Sequence, residues 1–260
     1  MLGHKRIPSR EGGVEIVVEE LATRMVQRGH DVTCYNRKGK HVMDKSIEEN
    51  HLSEYKGVHL KSVLTIDKKG LSAMSASFFA SIQAAFSNCD VVHFHAEGPC
   101  ATLWIPKLFG KRCIATIHGL DHQRAKWGKL ASTYIMMGEK CAVKYADEII
   151  VLSKGVQEYF QNTYGRKTVF IPNGVNKPSI VEANLIQKRF KLNKNDYILY
   201  LGRIVPEKGI HYLIEAYSQI KTDKKLVIAG GSSDTDEYLK KLKKSALKEM
   251  ELTALPIMQG

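Results

Sequence analysis

The sequence lacks the patterns that mark several specialised classes of protein. No apolar run approaches the length of a membrane-spanning helix, and the first residues lack the pattern of a secretory signal peptide. No Gly-X-Gly-X-X-Gly motif opens a predicted helix and there is no Walker loop, which argues against a nicotinamide enzyme and a nucleoside triphosphatase. Zinc-finger spacing and RNA-binding signatures are also absent, so we do not expect nucleic acid as a partner.

Cysteine is scarce and follows neither a disulfide nor a metal-binding spacing. The number is odd, and four of the residues lie in or next to apolar runs. This pattern is typical of reduced core residues, so we predict a cytoplasmic protein without a disulfide framework or a cysteine metal site. The cysteines are Cys34, Cys89, Cys100, Cys113 and Cys141.

Acidic residues are outnumbered by basic ones. The 260 residues include 39 Lys and Arg against 27 Asp and Glu, and 39 minus 27 gives a net charge of +12. Such a charge favours acidic partners, such as phosphorylated substrates or an anionic membrane surface. A chain of this length can bury the cores of one or two domains.

Predicted strands alternate with predicted helices along the whole chain, which indicates parallel sheets with helices on both faces. We predict a doubly wound α/β fold, with a first domain at residues 1–175, an interdomain segment at 176–195 and a second domain at 196–260. The second domain holds only about two and a half βα units, too few for a complete sheet domain. Predicted strands cover residues 31–35, 58–64, 90–94, 112–117, 148–152, 168–171, 197–201, 225–229 and 252–260, and predicted helices cover 14–28, 72–87, 100–109, 129–145, 154–163, 182–190, 209–220 and 235–249.

Glycines and polar residues recur in the loops at one edge of these predicted sheets. In doubly wound folds, ligands bind beyond the carboxyl ends of the strands. This shared placement is a stronger indication of a site than any single motif. The residues are Gly12, Gly13, His95, His118, Asn173, Arg203, Gly230 and Gly231.

The loop Gly202–Gly209 joins a predicted buried strand to a predicted helix and carries Arg203 and Lys208. A planar guanidinium and a compact ammonium group beside the positive end of a helix form a plausible anion site. Our hypothesis is that this loop holds a diphosphate. The alternative is two solvated cations on the surface of a basic protein.

His118 follows a predicted strand and is flanked by Gly119. An imidazole in that place could hydrogen-bond a sugar hydroxyl or a phosphate, or transfer a proton. The alternative is a structural histidine whose hydrogen bonds are satisfied inside the protein. Of His93 and His95, we expect at most one to face a given cleft.

Two acidic or histidine-containing groups invite comparison with known metal sites. His118, Asp121 and His122 lack the spacing of the zinc helix motif and lie in a predicted loop. Asp234-Thr235-Asp236 resembles a metal-binding acidic pair, but it begins a predicted helix, where an Asp caps the backbone and complements the dipole. We therefore predict no metal site.

In combination, these motifs resemble glycosyltransferase family 4. Residues 3–15 are similar to members that build bacterial cell-surface polysaccharides, including rhamnosyltransferases. The resemblance implies the GT-B fold, in which two Rossmann-like domains bind acceptor mainly on the first and nucleotide sugar mainly on the second. It further implies sugar transfer with retention and without metal. The matching motifs are Gly12-Gly13, His118-Gly119, Ser153, Pro172-Asn173-Gly174-Val175, Gly202-Arg203 and Lys208-Gly209.

The resemblance also implies roles for individual residues and partners. The donor is a nucleotide-diphosphate sugar, the acceptor is a glycan or a lipid-linked glycan, and no cofactor is needed. The implied roles are catalytic for His118, Arg203 and Lys208, donor-binding for Gly12, Gly13, Arg203, Lys208, Gly230 and Gly231, and acceptor-side for His95, Glu97 and Asn173.

The sequence departs from the family in two places. The family's pair of glutamates seven residues apart lies beyond the stretch that resembles residues 225–260, and the start of the first strand is missing. We therefore expect a fragment or truncated gene product with weak or no activity. A module that binds a nucleotide or sugar without transferring it is one alternative. Another is a peripheral protein that meets anionic lipid at the inner face of the plasma membrane through the basic residues of the predicted helix at 235–249.

Overall fold

The computed structural model describes residues 1–9, 12–39, 52–68, 70–123, 128–231 and 237–242, and the backbone of 254–255. The chain divides into two compact units, Met1–Val175 and Asn176–Gly260. Residues 176–195, which the sequence analysis set apart as an interdomain segment, group with the second unit.

The first unit begins with a small sheet of three strands. Strand β1 (Thr33–Arg37) pairs in parallel with β3 (Val58–Val63), and β2 (Glu54–Tyr55) pairs antiparallel with β3. Helix α1 (Gly13–Gln27) packs on this sheet, whereas α2 (Leu71–Ala85) packs in a core that includes residues of both sheets of the unit. Strand β2 is not among the predicted strands, because two residues are too few to show an alternating pattern.

A parallel sheet of four strands forms the rest of the first unit. Its strands are β4 (Val91–His95), β5 (Arg112–Ile117), β6 (Glu148–Val151) and β7 (Val169–Phe170), in that order. The helices are α3 (Trp104–Leu108), α4 (Lys129–Tyr145) and α5 (Lys154–Tyr164), with short 3₁₀ turns at Gly98–Thr102 and Asp121–Gln123. The predicted strand at 112–117 and helix at 129–145 are confirmed residue for residue.

The first residues of the chain join these two sheets. The amide of Leu2 donates to the carbonyl of His93 at 3.0 Å, and the amide of His95 donates to the carbonyl of Leu2 at 3.0 Å. On the other side, the amide of Tyr35 donates to the carbonyl of Met1 at 3.0 Å. The strand order therefore reverses between Leu2 and β4, which makes this point the topological switch of a doubly wound sheet.

Local sequence explains where the helices of this unit begin and end. Ser153 caps α5 as predicted, since its hydroxyl accepts a hydrogen bond from the amide of Val156 at 3.3 Å. The same helix ends at Gly165, whose φ of 64° is the left-handed conformation that glycine adopts at low cost. The aromatic ring of Phe160 anchors α5 in the core with no exposed surface.

The second unit repeats the βα pattern. It contains α6 (Asn184–Phe190), β8 (Tyr197–Leu201), α7 (Ile210–Ser218), β9 (Lys225–Ala229) and β10 (Ala254–Leu255), with a 3₁₀ turn at Pro206–Lys208. The three strands are parallel in the order β10-β9-β8. Its core is built from Ile204, Ile210, Ile214, Leu226, Ile228 and Leu242.

Parts of the sequence predictions fall on residues that the structure leaves undescribed. Residues 237–242 are helical, but the remainder of the helix predicted at 235–249 lies outside the described residues. The group Asp234-Thr235-Asp236 also lies outside them. Within the described ranges, none of the helices has both the length and the apolar character that crossing a membrane requires.

Helix α4 approaches the loop after β4 unusually closely at Gly138. A Cβ atom at this position would lie 2.1 Å from the carbonyl oxygen of Glu97 and 3.2 Å from the amide nitrogen of Ala101. Both atoms are backbone, so neither can swing away as a side chain would. The absence of a side chain at Gly138 is therefore what allows α4 to pack here.

We predict that Gly138→Ala destabilises the protein by about 2 kcal/mol, because overpacking costs more than the roughly 1 kcal/mol that alanine gains in helix propensity. Urea unfolding followed by circular dichroism measures the change. Gly155→Ala is the matched control, since Gly155 is also helical and a Cβ atom there would have no neighbour within 4 Å. The control should be neutral or stabilising; a Gly138→Ala variant as stable as the control would contradict the packing argument.

Candidate functional site

The carboxyl ends of β4 and β5 bring together two of the predicted site histidines. His95 is the last residue of β4, and its strand neighbour in register is Thr116 of β5. His118 follows β5, and its Nε2 atom lies 3.2 Å from Nδ1 of His95. One of the two nitrogens donates and the other accepts. The prediction of two polar residues converging at this edge of the sheet therefore agrees with the geometry.

His93 extends this contact into a row of imidazoles. The rings of His93 and His95 lie 4.3 Å apart, and Nε2 of His93 is 2.7 Å from the hydroxyl of Thr116. The expectation that at most one of His93 and His95 faces a given side is wrong. Side chains in a strand alternate with a period of two, so residues 93 and 95 share a face.

His4 was not predicted as a site residue, yet it is fully buried near this row. Asn36 fixes its tautomer: the side-chain NH₂ of Asn36 donates to the carbonyl of Ile7, so its Oδ1 is the acceptor facing His4. Nε2–H of His4 donates to that oxygen at 3.1 Å. A single sequence offers no signal for this residue, because its burial depends on the strand pairing of Met1 and Leu2.

Burial keeps these imidazoles neutral. Burial and the nearby terminal ammonium group lower the pKa of His4 to about 3, and the same two causes lower the pKa of His93 to about 3. Burial and the neighbouring histidines hold the pKa of His95 well below its ordinary value. Burial also lowers the pKa of His118, although the carboxylates of Asp121 and Glu15 oppose the shift. The row can exchange hydrogen bonds at neutral pH but carries no charge there.

The amino end of α1 carries the predicted glycines. Gly12 caps the helix without a side chain, and Gly13 is exposed with no atom within 4 Å of the Cβ position. Glu15 is buried beside them, and its Oε1 accepts a hydrogen bond from the amide of Lys5 at 2.9 Å. The open backbone at Gly13 leaves space for a ligand group close to the helix.

Glu97 and Asn173, both predicted to face an acceptor, are placed differently. Glu97 is fully buried, and its Oε2 accepts a hydrogen bond from the amide of Asp121 at 2.7 Å. Burial, together with the neighbouring Glu139 carboxylate, raises the pKa of Glu97 well above its ordinary range. Asn173 is exposed and follows β7, at the far side of the sheet from β4. The structure therefore does not bring Asn173 to His95 and Glu97, and neither His95 nor Glu97 is exposed.

In the second unit, two glycine loops lie side by side at the carboxyl ends of β8 and β9. The amide of Gly202 donates to the carbonyl of Ala229 at 3.0 Å, and the amide of Ile204 donates to the carbonyl of Gly231 at 2.8 Å. A Cβ atom at Gly230 would lie 1.7 Å from the carbonyl oxygen of Gly202, and its φ is +157°. Only glycine fits this approach, which holds Arg203 beside the second loop.

Both predicted cations of this loop are exposed. Arg203 follows β8 directly, while Lys208 ends the 3₁₀ turn that leads into α7. The hydroxyl of Tyr200 donates to the carbonyl of Arg203 at 3.1 Å and holds the backbone of the loop. Among the residues that the structure describes, neither cation has an ion-pair partner, so each is available to an anion.

Comparison with known families decides what kind of protein carries these features. The profile described as Glycosyltransferase Family 4 matches residues 11–177, which is more than half of the chain. The chain belongs to glycosyltransferase family 4. A second profile, described as Glycosyl transferases group 1, matches residues 181–254.

Solved structures confirm the predicted GT-B type of fold with its Rossmann-like units. The crystal structure of the Anabaena protein HepE in complex with UDP and glucose has a TM-score of 0.74 at 16% identity. The similarity covers 98% of this family 4 chain and 68% of the Anabaena chain. At this level of identity the likeness concerns the fold.

Relatives known by sequence are glycosyltransferases as well. An uncharacterised glycosyltransferase of Methanocaldococcus jannaschii is 27% identical over 222 residues, which are 83% of this chain and 56% of the relative. The capsular polysaccharide biosynthesis glycosyltransferase CapM of Staphylococcus aureus is 30% identical over 144 residues, 48% of this chain and 37% of the relative. The chain spans about half the length of the curated relatives that it matches.

We predict that His4 makes the stability of the family 4 chain fall with pH in mild acid. Its pKa is about 3 in the folded protein and about 6.5 when unfolded, so between these values only the unfolded state binds the proton. The contribution of His4 to the free energy of unfolding is therefore fully present above about pH 6.5 and declines as the pH falls below that value. At pH 5 the loss is about 2 kcal/mol.

Urea unfolding at pH 7.5 and pH 5.0 measures this loss in the wild type and in His4→Gln, which keeps a donor for Asn36 but cannot titrate. The difference between the two pH values should shrink by about 2 kcal/mol in the variant. His30→Gln is the control, because His30 is exposed. An equal pH dependence in wild type and His4→Gln would show that His4 is not the titrating group.

Proposed function

We propose that this protein transfers a sugar from a nucleotide-diphosphate sugar to a glycan or lipid-linked acceptor in cell-surface polysaccharide synthesis. The observation that carries the proposal is the pairing of the loop Gly202–Gly209 with Gly230-Gly231, which presents two exposed cations at the carboxyl ends of β8 and β9. The UDP and glucose named for the Anabaena structure and the capsular role named for CapM support the substrate class.

Arg203 and Lys208 suit the diphosphate chemically. The guanidinium can donate two parallel hydrogen bonds to phosphate oxygens, and the ammonium group adds a compact charge next to the amino end of α7. As the bond between sugar and diphosphate breaks, negative charge grows on the leaving phosphate. Fixed positive charge at that point stabilises the transition state more than the ground state.

His118 would contact the donor sugar. His95 would hold the imidazole of His118 in position. Since Nε2 of His118 faces His95, only Nδ1 of His118 remains for a ligand. The lowered pKa of His118 keeps the ring neutral, which suits a hydrogen bond to a neutral sugar hydroxyl. His95 is fully buried and acts through His118, so it is a positioning residue.

The proposed transfer retains the configuration at the anomeric carbon and needs neither a metal nor a cofactor. The acceptor oxygen forms its bond to this carbon on the face that the diphosphate leaves. The proton of the acceptor hydroxyl passes to an oxygen of the departing phosphate. No side-chain base is required, and the charge that a metal would supply comes from Arg203 and Lys208.

Calorimetric titration of the chain with UDP, GDP and dTDP tests the donor assignment. We expect one of the three to bind, and Arg203→Ala and Lys208→Ala to weaken its binding by roughly 10–100-fold each, since a hydrogen bond to a charged group contributes about 1.5–3 kcal/mol. Lys221→Ala, which removes an exposed cation elsewhere in the second unit, should leave the affinity unchanged.

Two outcomes would count against the proposal. If none of the three nucleotides binds, the loop does not form a nucleotide site in this chain. If one binds but Arg203→Ala and Lys208→Ala leave its affinity unchanged, these cations do not hold the diphosphate. Binding of UDP without turnover of UDP-glucose would support the site but restrict this chain to donor binding.

A further inference from the structure

Three side chains from separate parts of the first unit converge on one buried point. Glu97 follows β4, His122 lies in the 3₁₀ turn after β5, and Glu139 lies in the middle of α4. Nδ1 of His122 is 3.5 Å from Oε1 of Glu97 and 3.4 Å from Oε2 of Glu139. All three atoms lie within 4.8 Å of one another. We refer to these residues as the Glu97–His122–Glu139 cluster.

The three converging atoms are buried and lack hydrogen bonds. Both carboxyl side chains are 0% exposed, and the imidazole is 11% exposed. Within the described part of the chain, none of Oε1 of Glu97, Nδ1 of His122 and Oε2 of Glu139 has a hydrogen-bond partner. Unsatisfied polar atoms in such a place cost free energy, so an arrangement that leaves three of them facing one another indicates a missing ligand.

The other oxygens of the two carboxyl groups are already held by the protein. Oε2 of Glu97 accepts from the amide of Asp121 at 2.7 Å. Oε1 of Glu139 accepts from the hydroxyl of Tyr159 at 2.9 Å and from the hydroxyl of Tyr164. These contacts fix the orientation of both carboxyl groups and aim the free oxygens at Nδ1 of His122. Outer hydrogen bonds of this kind are typical of metal ligands.

Protons satisfy the cluster only in part. Burial and the neighbouring Glu139 raise the pKa of Glu97, so without a cation Glu97 keeps a proton that it can share with Glu139, while Nδ1 of His122 keeps two long contacts. A single N–H at Nδ1 of His122 points in one direction, so it can serve only one of the two carboxyl oxygens. The separations of 3.4 and 3.5 Å are also longer than ordinary N–H···O hydrogen bonds, which measure about 2.7–3.2 Å. A central cation would satisfy all three atoms together.

The distances suit a tetrahedral metal site. Ligand atoms about 2.0–2.1 Å from a tetrahedrally coordinated ion lie about 3.3–3.4 Å from one another, close to the two separations measured from Nδ1 of His122. We propose that the Glu97–His122–Glu139 cluster binds a divalent transition metal, for which Zn²⁺ is the best match, with the fourth position open to water. One imidazole and two carboxylates favour such an ion over Ca²⁺, which takes six to eight oxygens, and over octahedral Mg²⁺.

The ion would be structural and would tie the turn Asp121–Gln123 to α4 and to the loop after β4. That turn begins three residues after His118, so the ion would also restrict the loop that carries this histidine. The proposal departs from the prediction of no metal site, which considered only neighbours in sequence. It is independent of the proposed sugar transfer, whose phosphate charge is met by Arg203 and Lys208 without a metal.

Zn²⁺ titration of the untagged, chelator-treated 260-residue chain tests the proposal. We expect one Zn²⁺ per chain by calorimetry and a rise in Tm on binding, whereas Mg²⁺ should produce neither. Glu139→Gln and His122→Gln should each weaken Zn²⁺ binding at least tenfold. Tyr164→Phe, which removes one hydrogen bond to Glu139, should weaken it by about 10–100-fold. His59→Gln is the control for surface binding, since His59 forms an exposed pair with Asp31 at 3.5 Å and should not matter.

A measurement on the wild type alone tests the proposal even if the variants fail to fold. Co²⁺ bound in a tetrahedral site gives intense visible absorption, whereas octahedral Co²⁺ gives only weak bands. We expect the intense absorption at one Co²⁺ per chain and its loss on addition of Zn²⁺. The proposal is overturned if the wild type binds no Zn²⁺ at this stoichiometry, if Co²⁺ gives only the weak bands, or if folded Glu139→Gln and His122→Gln bind Zn²⁺ as the wild type does.

Discussion

The backbone pairing of Met1 and Leu2 is the contact on which the first unit depends. These residues supply the hydrogen bonds that β1 needs on one side and β4 needs on the other. Without them, both strands would be sheet edges with open amides and carbonyls. With them, the strand order reverses beside β4, and His4 and His95 are enclosed at that reversal.

A second constraint, the close approach of α4, brings the remaining polar groups together. Gly138 lets the helix reach the backbone of the loop after β4, and the next residue along the helix is Glu139. The same contact that packs the helix therefore sets the distance between the carboxyl groups of Glu97 and Glu139. Packing and polar chemistry depend on each other here. If α4 lay farther from the loop after β4, His122 could not contact Glu97 and Glu139 together.

The sequence predicted most of the elements because strands and helices follow local patterns. The strands at 112–117 and 225–229 and the helix at 129–145 have the predicted bounds, and the cap at Ser153 has a local cause. The burial of His95, Glu97 and Glu139 could not be predicted in this way, since a charged residue in a single sequence normally indicates a solvated surface. What buries them is packing between residues that are distant in sequence, which one sequence without relatives does not reveal.

The ionisable groups discussed in the two units differ in their surroundings, and the difference fits the ligands proposed for them. Lys107 in the first unit is paired with Asp147, and the buried histidines there are kept neutral. Arg203 and Lys208 in the second unit are exposed and lack ion-pair partners among the described residues. A cation that must bind a diphosphate gains most when no carboxylate has to be displaced first, whereas neutral imidazoles suit the hydroxyls of a sugar. The surroundings of these groups are therefore in line with the phosphate contacts proposed for Arg203 and Lys208, and with the sugar contact proposed for His118.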